Sequence, residues 1–325
     1  MIQRRRLLPL LAAGSYALAW CRPSAAQDIP RKNITLMVGF AAGGAADGAA
    51  RVIAKKLGEQ LGLTVIVDNR AGAGGNIAHQ AVARAEPDGS TVLLGSVGPL
   101  SIAQHLGKLG YDPQRDLAPL TMGVVFPNVL VVPTSLGVKS LAEFIALARK
   151  SPGKMTYAST GNGSASHLAG ELLAQMAGVD MLHVSYKGGA PALTDVLAGR
   201  VDAYFSTLSS AQPHVSAGKL VILASSGLTR PSFLPQVPTV AESGYPGFNA
   251  TNWYAFVAPA KTPTAVLTRW NQELVKALKS AEVQAELLKH GMLAQPSSPQ
   301  ELANTIASES EFWGKLIRER KITAD

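Results

Sequence analysis

The chain has 325 residues, a formal net charge of +8 and one cysteine, Cys21. A single cysteine excludes an intrachain disulfide and a cysteine-based metal site. Roughly 300 residues are enough for two domains, each with its own hydrophobic core.

The first 26 residues predict a secretory signal peptide. Three arginines, Arg4 to Arg6, precede an apolar stretch from Leu7 to Trp20, and Ser24-Ala25-Ala26 has the small-x-small pattern of a cleavage site. The apolar stretch is shorter than the ~20 residues that a membrane-spanning helix needs. The arginines are also similar to a twin-arginine export signal, so the export route stays open. We therefore expect a periplasmic protein that is cleaved after Ala26.

Cleavage at this point changes the charge of the mature chain. It removes four arginines and no acidic residue, which leaves 26 basic and 22 acidic residues and a net charge of +4. It also removes Cys21, so catalysis by a thiolate is excluded. Because no run of lysine or arginine remains, we expect no binding to nucleic acid.

Short runs typical of strands alternate with helical patterns through the mature chain. The predicted strands are 34–40, 63–69, 90–96, 129–134, 154–159, 201–206 and 220–226. The predicted helices are 44–61, 74–86, 140–150, 164–177 and 189–199, followed by an amphipathic helix from Thr262-Pro263. Capping boxes start helices at Ser140 and Ser298. This alternation predicts an α/β fold of mainly parallel sheets flanked by helices. We expect Trp253 and Tyr254 to pack on an interlobe strand, with stacking on the ligand as the alternative.

Two segments of similar pattern lie about 120 residues apart, "LMVGFAAGGAADGAARVIAKKL" and "MTYASTGNGSASHLAGELLAQM". Each reads as a strand, a loop of small residues and a helix. A helix N-terminus offers unpaired N–H groups and a partial positive charge, and glycine lets a ligand oxygen approach them. Ala45-Ala46-Asp47 stands where a phosphate-binding loop needs lysine and a hydroxyl residue, so a carboxylate fits better than a triphosphate. The alternative is that both loops are only tight connections.

Other motifs do not carry a catalytic, metal or cofactor site. "AGAGGN" has Ile77 where a dinucleotide fingerprint needs glycine or alanine, and Pro152-Gly153 breaks the turn that an S-x-x-K acylase requires. There is no G-x-S-x-G elbow, and the six histidines include no H-x-x-x-H pair. His167 follows Ser164 by one helical turn, so it either supports the loop or packs against the helix.

The segments above, with "EPDGSTVLLGS", "YDPQRDLAPLT", "HVSYKGGAPALTDVLAGRVDAYF" and "LPQVPTVAESGYPGFNATNWYAFVAPAKTP", resemble the tripartite tricarboxylate transporter substrate-binding proteins, the Bug family. The resemblance runs from about residue 30 to 320. It implies a type II, Venus-flytrap periplasmic binding protein with a ligand cleft between two lobes. The lobes would be 27–127 with 253–325, which includes the C-terminal helices, and 128–252.

The resemblance also implies the function and the site. The protein would be a monomer without enzymatic activity, cofactor or metal that passes a small organic carboxylate to the large and small permease subunits. An orphan binding protein or sensor, or a secreted hydrolase, remains an alternative. The expected ligand-binding residues are Phe40, Ala41, Gly43, Gly44, Ala46 and Asp47 in the first loop; Ser159, Thr160, Gly161, Gly163, Ser164 and His167 in the second; and Ser96, Gly98, Lys187, Gly188 and Ser206 around them.

Four positions depart from the pattern usual in this family. Ala45 and Ala46 stand where serine and threonine are common, Ser185 replaces a proline, and Ser206 stands where aspartate is frequent. One acid fewer disfavours an amino acid, whose ammonium group would need it. We therefore expect a di- or tricarboxylate or an aromatic carboxylate.

Overall fold

The computed structural model describes residues 28–323. The predicted signal peptide lies outside this range. Among these 296 residues, none of the helices combines the length and apolar character that crossing a bilayer requires.

Strands and helices alternate along the chain. The first half contains β1 (Ile34–Val38), α1 (Ala45–Leu61), β2 (Val65–Asn69), α2 (Asn76–Ala83), β3 (Thr91–Ser96), β4 (Leu117–Pro133), α3 (Leu141–Lys150) and β5 (Thr156–Ser159). The second half contains α4 (Ala165–Ala177), β6 (Leu182–Ser185), α5 (Gly189–Leu197), β7 (Ala203–Thr207), α6 (Leu208–Ser216), β8 (Leu220–Ser225), β9 (Thr251–Pro259), α7 (Thr264–Lys279), α8 (Ala281–Lys289), β10 (Leu293–Ala294) and α9 (Pro299–Arg320).

Two groups of strands share the long strand β4. In the first lobe the order is β2-β1-β3-β9-β4, with β10 on β4; in the second, β7, β5 and β6 continue from β4, and β8 also pairs with it. The pairing of β4 changes along its length: it pairs with β9 as far as Pro127 and with β7 from Asn128 onward. The strand β4 therefore belongs to the sheets of both lobes and connects them, whereas β9 pairs only within the first lobe.

The two-lobed α/β fold predicted from the sequence is confirmed, and the sheets are mixed. In the first lobe, β1 is parallel to β2 and β3. In the second lobe, β5 is parallel to β6 and β7. The strands β4 and β9 are antiparallel to each other and to β7 and β3, respectively. The first half of β4 and all of β6 were not predicted as strands. Trp253 and Tyr254 lie on β9, in register with Val125 and Val124 of β4, and both are buried.

Of the two predicted capping boxes, the one at Ser298 is complete and the one at Ser140 is half formed. The Ser298 hydroxyl accepts from the Glu301 N–H, and the Glu301 carboxylate accepts from the Ser298 N–H, so the capping box of α9 is complete. At α3 the Ser140 hydroxyl accepts from the Glu143 N–H, but the Glu143 carboxylate bonds the N–H of Lys139 instead. In both helices, residues close together along the chain thus fix the position at which the helix begins.

Separate apolar cores lie under the sheets. One core packs α1, α7 and α8 around β1 and β3, with Trp270 fully buried and its indole N–H donating to the carbonyl of Gly89. Another packs α5 and α6 against β7, and a third joins α3, α4 and α9. This arrangement leaves the ends of β1, β3, β5 and β7 facing the space between the lobes.

Candidate functional site

A cavity of about 270 Å³ lies between the two lobes. Ten of the seventeen residues predicted for the site line it: Phe40, Ala41, Gly43, Gly44, Ala46, Ser96, Gly98, Thr160, Ser164 and Gly188. The other seven lie outside its lining: Asp47, Ser159, Gly161, Gly163, His167, Lys187 and Ser206. The two glycine loops are therefore brought together at one cavity.

The cavity lining carries no charged side chain. Within residues 28–323, the lining contains no aspartate, glutamate, lysine, arginine or histidine, and its polar groups are hydroxyls, carboxamides and main-chain amides. An anion bound here would consequently be held by hydrogen bonds and helix dipoles alone.

Four helices begin at the cavity wall. Its lining includes the first residues of α1 and α4, as expected, and also those of α5 and the N-cap of α6. The N-caps of α1, α5 and α6, which are Gly44, Gly188 and Thr207, make no side-chain capping bond. The first N–H groups of these helices thus have no side-chain acceptor, and the partial positive ends of all four point to one space.

Asp47 has a structural role in the first loop. Its Oδ2 accepts hydrogen bonds from the Gly43 N–H at 2.8 Å and from Arg51 Nε at 2.9 Å. Burial raises the pKa of this carboxyl. The hydrogen bonds from Arg51 and Gly43 outweigh burial, so the pKa lies below its ordinary value. Asp47 therefore secures the loop from behind, and the Gly43 amide is already engaged.

The second loop is also held by its own side chains. The Gly161 N–H donates to Ser159 Oγ, and the Thr160 N–H donates to Ser166 Oγ. The hydroxyls of Thr160 and Ser164 lie 3.3 and 3.1 Å from Ser166 Oγ. The donors that remain for a ligand at this wall are therefore the first main-chain N–H groups of α4 and the hydroxyls of Thr160, Ser164 and Ser166.

His167 lies behind the second loop. Its Nδ1 accepts from the Gly163 N–H at 3.1 Å, and its ring stacks on His183 with centroids 3.9 Å apart. His183 Nε2 lies 2.6 Å from Ser159 Oγ. Burial lowers the pKa of His167 to about 4 and that of His183 to about 3. Both rings are neutral at pH 7, and they support the loop from the side opposite the cavity.

Glycines bring the lobes into contact beside the cavity. A Cβ on Gly98 would lie 2.8 Å from the Gly163 carbonyl oxygen, and a Cβ on Gly74 would lie 2.8 Å from the Asn162 carbonyl oxygen. Gly161 in turn faces Gly74, where a Cβ would lie 3.0 Å from its Cα. Gly98 and Gly161, two of the predicted site glycines, thus allow the lobes to approach each other closely.

The floor of the cavity contains residues outside the predicted set of ligand-binding residues. Asn128 and Phe126 on β4, and Asn252 and Tyr254 on β9, share one face of the two strands, and three of these four line the cavity. Tyr254 packs on Phe126 with ring centroids 5.0 Å apart. The signal available in the sequence was an asparagine inside each of two apolar strand patterns, "VVFPNVLVV" and "ATNWYAFVA".

Comparison with known proteins finds a family model and several similar proteins. The family model described as tripartite tricarboxylate transporter family receptor matches residues 49–322. Protein BugT of Bordetella pertussis is 34% identical over 316 residues, which cover 97% of each chain. Among solved structures, R. palustris Rpa4515 with adipate is 36% identical with a TM-score of 0.87, covering 91% of this chain and 99% of that one. MatC from Rhodopseudomonas palustris with bound malate is 31% identical with a TM-score of 0.83, covering 89% and 99%.

Proposed function

Because this chain belongs to the tripartite tricarboxylate transporter receptor family, we propose that it captures a small organic carboxylate between its lobes in the periplasm. We also propose that it delivers this ligand to the large and small membrane subunits of a tripartite transporter. The single observation that carries the binding proposal is an uncharged interlobe cavity at which four helices begin.

The magnitudes support useful affinity without a charged partner. Four hydrogen bonds from amides or hydroxyls to a carboxylate contribute about 1.5–3 kcal/mol each, or about 6–12 kcal/mol together. Helix dipoles add about 1–2 kcal/mol, while association costs at least about 4 kcal/mol. The balance allows micromolar or tighter binding.

Two similar proteins support the chemical class. Rpa4515 was solved with adipate and MatC with malate, and both ligands are dicarboxylates. We propose that the protein binds its ligand without converting it, which the receptor description of its family supports.

A thermal-shift screen followed by calorimetry tests this proposal. We expect one or more organic acids to raise the melting temperature in a saturable way, as ligand linkage requires. The matched control is the corresponding diamide, which has the same shape without the charge and should not bind. Equal binding of acid and diamide, or no saturable shift with any acid, would refute the proposal, and recovery of a chemically altered acid would indicate an enzyme instead.

A further inference from the structure

Two stacked histidines lie behind the second loop. His167 on α4 and His183 on β6 have their ring centroids 3.9 Å apart and their planes within 13° of parallel. The ring of Tyr157 on β5 packs against both, with centroids 6.4 Å from His167 and 5.1 Å from His183. His167 is 3% exposed, and neither imidazole lines the cavity. Close packing therefore fixes the direction in which each ring nitrogen points.

His167 holds the loop through one nitrogen atom. Its Nδ1 lies 3.1 Å from the main-chain nitrogen of Gly163, and because a main-chain N–H can only donate, Nδ1 is the unprotonated acceptor. Gly163 has a φ of +72°, in the left-handed region, and its carbonyl oxygen faces the first lobe, where a Cβ on Gly98 would lie 2.8 Å away. The bond to His167 therefore holds the residue at which the second loop meets Gly98.

His183 holds the same loop through Ser159. Its Nε2 lies 2.6 Å from Ser159 Oγ, which in turn accepts from the Gly161 N–H at 3.1 Å. Gly161 also faces the first lobe, since a Cβ on Gly161 would lie 3.0 Å from the Cα of Gly74. The two imidazoles thus bond, directly or through one hydroxyl, two glycines that contact the first lobe beside the cavity.

Resting on the proposed function, we propose that His167 and His183 are positioning residues for ligand binding. Through Nδ1 of one ring and Nε2 of the other, they hold Gly163 and Gly161 where the closed lobes meet, and they raise the affinity for a ligand that neither ring touches. The affinity depends on this order because a loop already in its bound conformation loses less conformational entropy when the lobes close. The alternative is that the rings only fill space, in which case the position of each nitrogen has no effect.

Asparagine and glutamine separate these two roles. The carboxamide of asparagine reaches about as far as the Nδ1 of histidine, and that of glutamine about as far as Nε2. His167→Asn therefore keeps an acceptor for the Gly163 N–H, whereas His167→Gln displaces it. At position 183 the order is reversed, because His183→Gln keeps a polar group for Ser159 and His183→Asn does not. The two variants at each position lose the same stacked ring, so each is the matched control of the other.

The probe is the organic acid that wild type binds most tightly among succinate, malate, adipate, citrate and terephthalate. Each variant is titrated with it by calorimetry at pH 7.5, at a temperature where a thermal scan of the ligand-free sample shows the variant folded. We expect His167→Asn and His183→Gln to bind within about threefold of wild type. We expect His167→Gln and His183→Asn to bind at least about tenfold more weakly, since a buried polar group without a partner costs more than a replaced hydrogen bond.

Nitrogen NMR of isotope-labelled histidine in wild type gives a second readout, which does not depend on the folding of any variant. We expect the proton of the His167 ring on Nε2, because Nδ1 accepts from the Gly163 N–H. A proton on Nδ1 would overturn the positioning role of His167.

The outcomes distinguish this inference from the proposed function. Equal affinity of the asparagine and glutamine variants at either position, or the reversed order, overturns the positioning role of that histidine and leaves the proposed function intact. Failure of the wild type to bind any of these acids overturns the proposed function and the positioning role with it.

Discussion

The contact between Gly98 and the second lobe predicts that one added methyl group will hold the lobes apart. Gly98 does not have a positive φ, so Gly98→Ala introduces no backbone strain. Its Cβ would lie 2.8 Å from the Gly163 carbonyl oxygen and 3.5 Å from the Ser164 Cα, which places the first distance about half an ångström below ordinary contact.

The expected effect falls on ligand affinity and not on the stability of the ligand-free protein. Overpacking of this kind costs about 1–3 kcal/mol in the closed form, which corresponds to a roughly 5- to 150-fold weaker Kd. We expect the lobes to separate in the absence of ligand, so the melting temperature of the ligand-free protein should stay within about 1 °C of wild type. Calorimetric titration and a thermal scan of the same sample measure both quantities.

A matched glycine in the first lobe provides the control. A Cβ on Gly48, inside α1, would lie 3.6 Å from the His290 ring, which is ordinary contact, and Gly48 has no positive φ. Gly48→Ala should stabilise the protein by about 0.5–1 kcal/mol and leave the Kd unchanged. If Gly98→Ala bound the ligand as tightly as Gly48→Ala, the lobes would not close on the Gly98 contact and the reasoning would be wrong.

Three further predictions concern stability. Burial lowers the pKa of His79 to about 4, so neutral His79 leaves the folded protein fully stable above pH 6.5, and this stability is lost as the pH falls toward 4. At pH 5 the expected loss in the free energy of unfolding is on the order of 2 kcal/mol. Denaturant unfolding of His79→Gln should therefore depend less on pH than that of wild type. Asp47→Ala should lower the free energy of unfolding by about 1–3 kcal/mol at pH 7, because the Gly43 N–H and Arg51 lose their acceptor. Since the pKa of Asp47 is depressed, the difference in stability between variant and wild type should narrow below pH 3.8. A difference that stays constant with pH would contradict the structural role of the Asp47 carboxylate. Ser298→Ala should cost about 1 kcal/mol in urea unfolding and leave ligand affinity unchanged, whereas a changed Kd would link the cap to the site.

The sequence was sufficient for features that depend on neighbours along the chain. The loops after β1 and β5, the helices that follow them and the cap of α9 are each specified within about ten residues, and the structure has them close to the expected positions. The start of β4 was missed because Pro119 and Pro127 interrupt a run that becomes a strand only by pairing with β9.

The roles of individual site residues were harder to predict from the sequence. Asp47, His167 and Gly163 were selected for contact with a ligand, yet Asp47 accepts from Gly43 within the first loop and His167 accepts from Gly163 within the second, and none of the three lines the cavity. Their residue types are equally suited to both roles, and only the side on which the loop packs separates them. Those predictions of ligand contact therefore stay predictions, whereas the supporting bonds are observed.

By itself the sequence determined the alternation of strands and helices, the two glycine loops and the lack of any residue pattern for metal or covalent chemistry. Only the tertiary structure decided that α5 and α6 also begin at the cavity and that Asn128 and Asn252 lie on its floor. The physical reason is the distance along the chain. Turns and caps are made by residues a few positions apart, whereas the cavity is made where β4 pairs with β7 across 73 to 79 residues and with β9 across 124 to 142 residues.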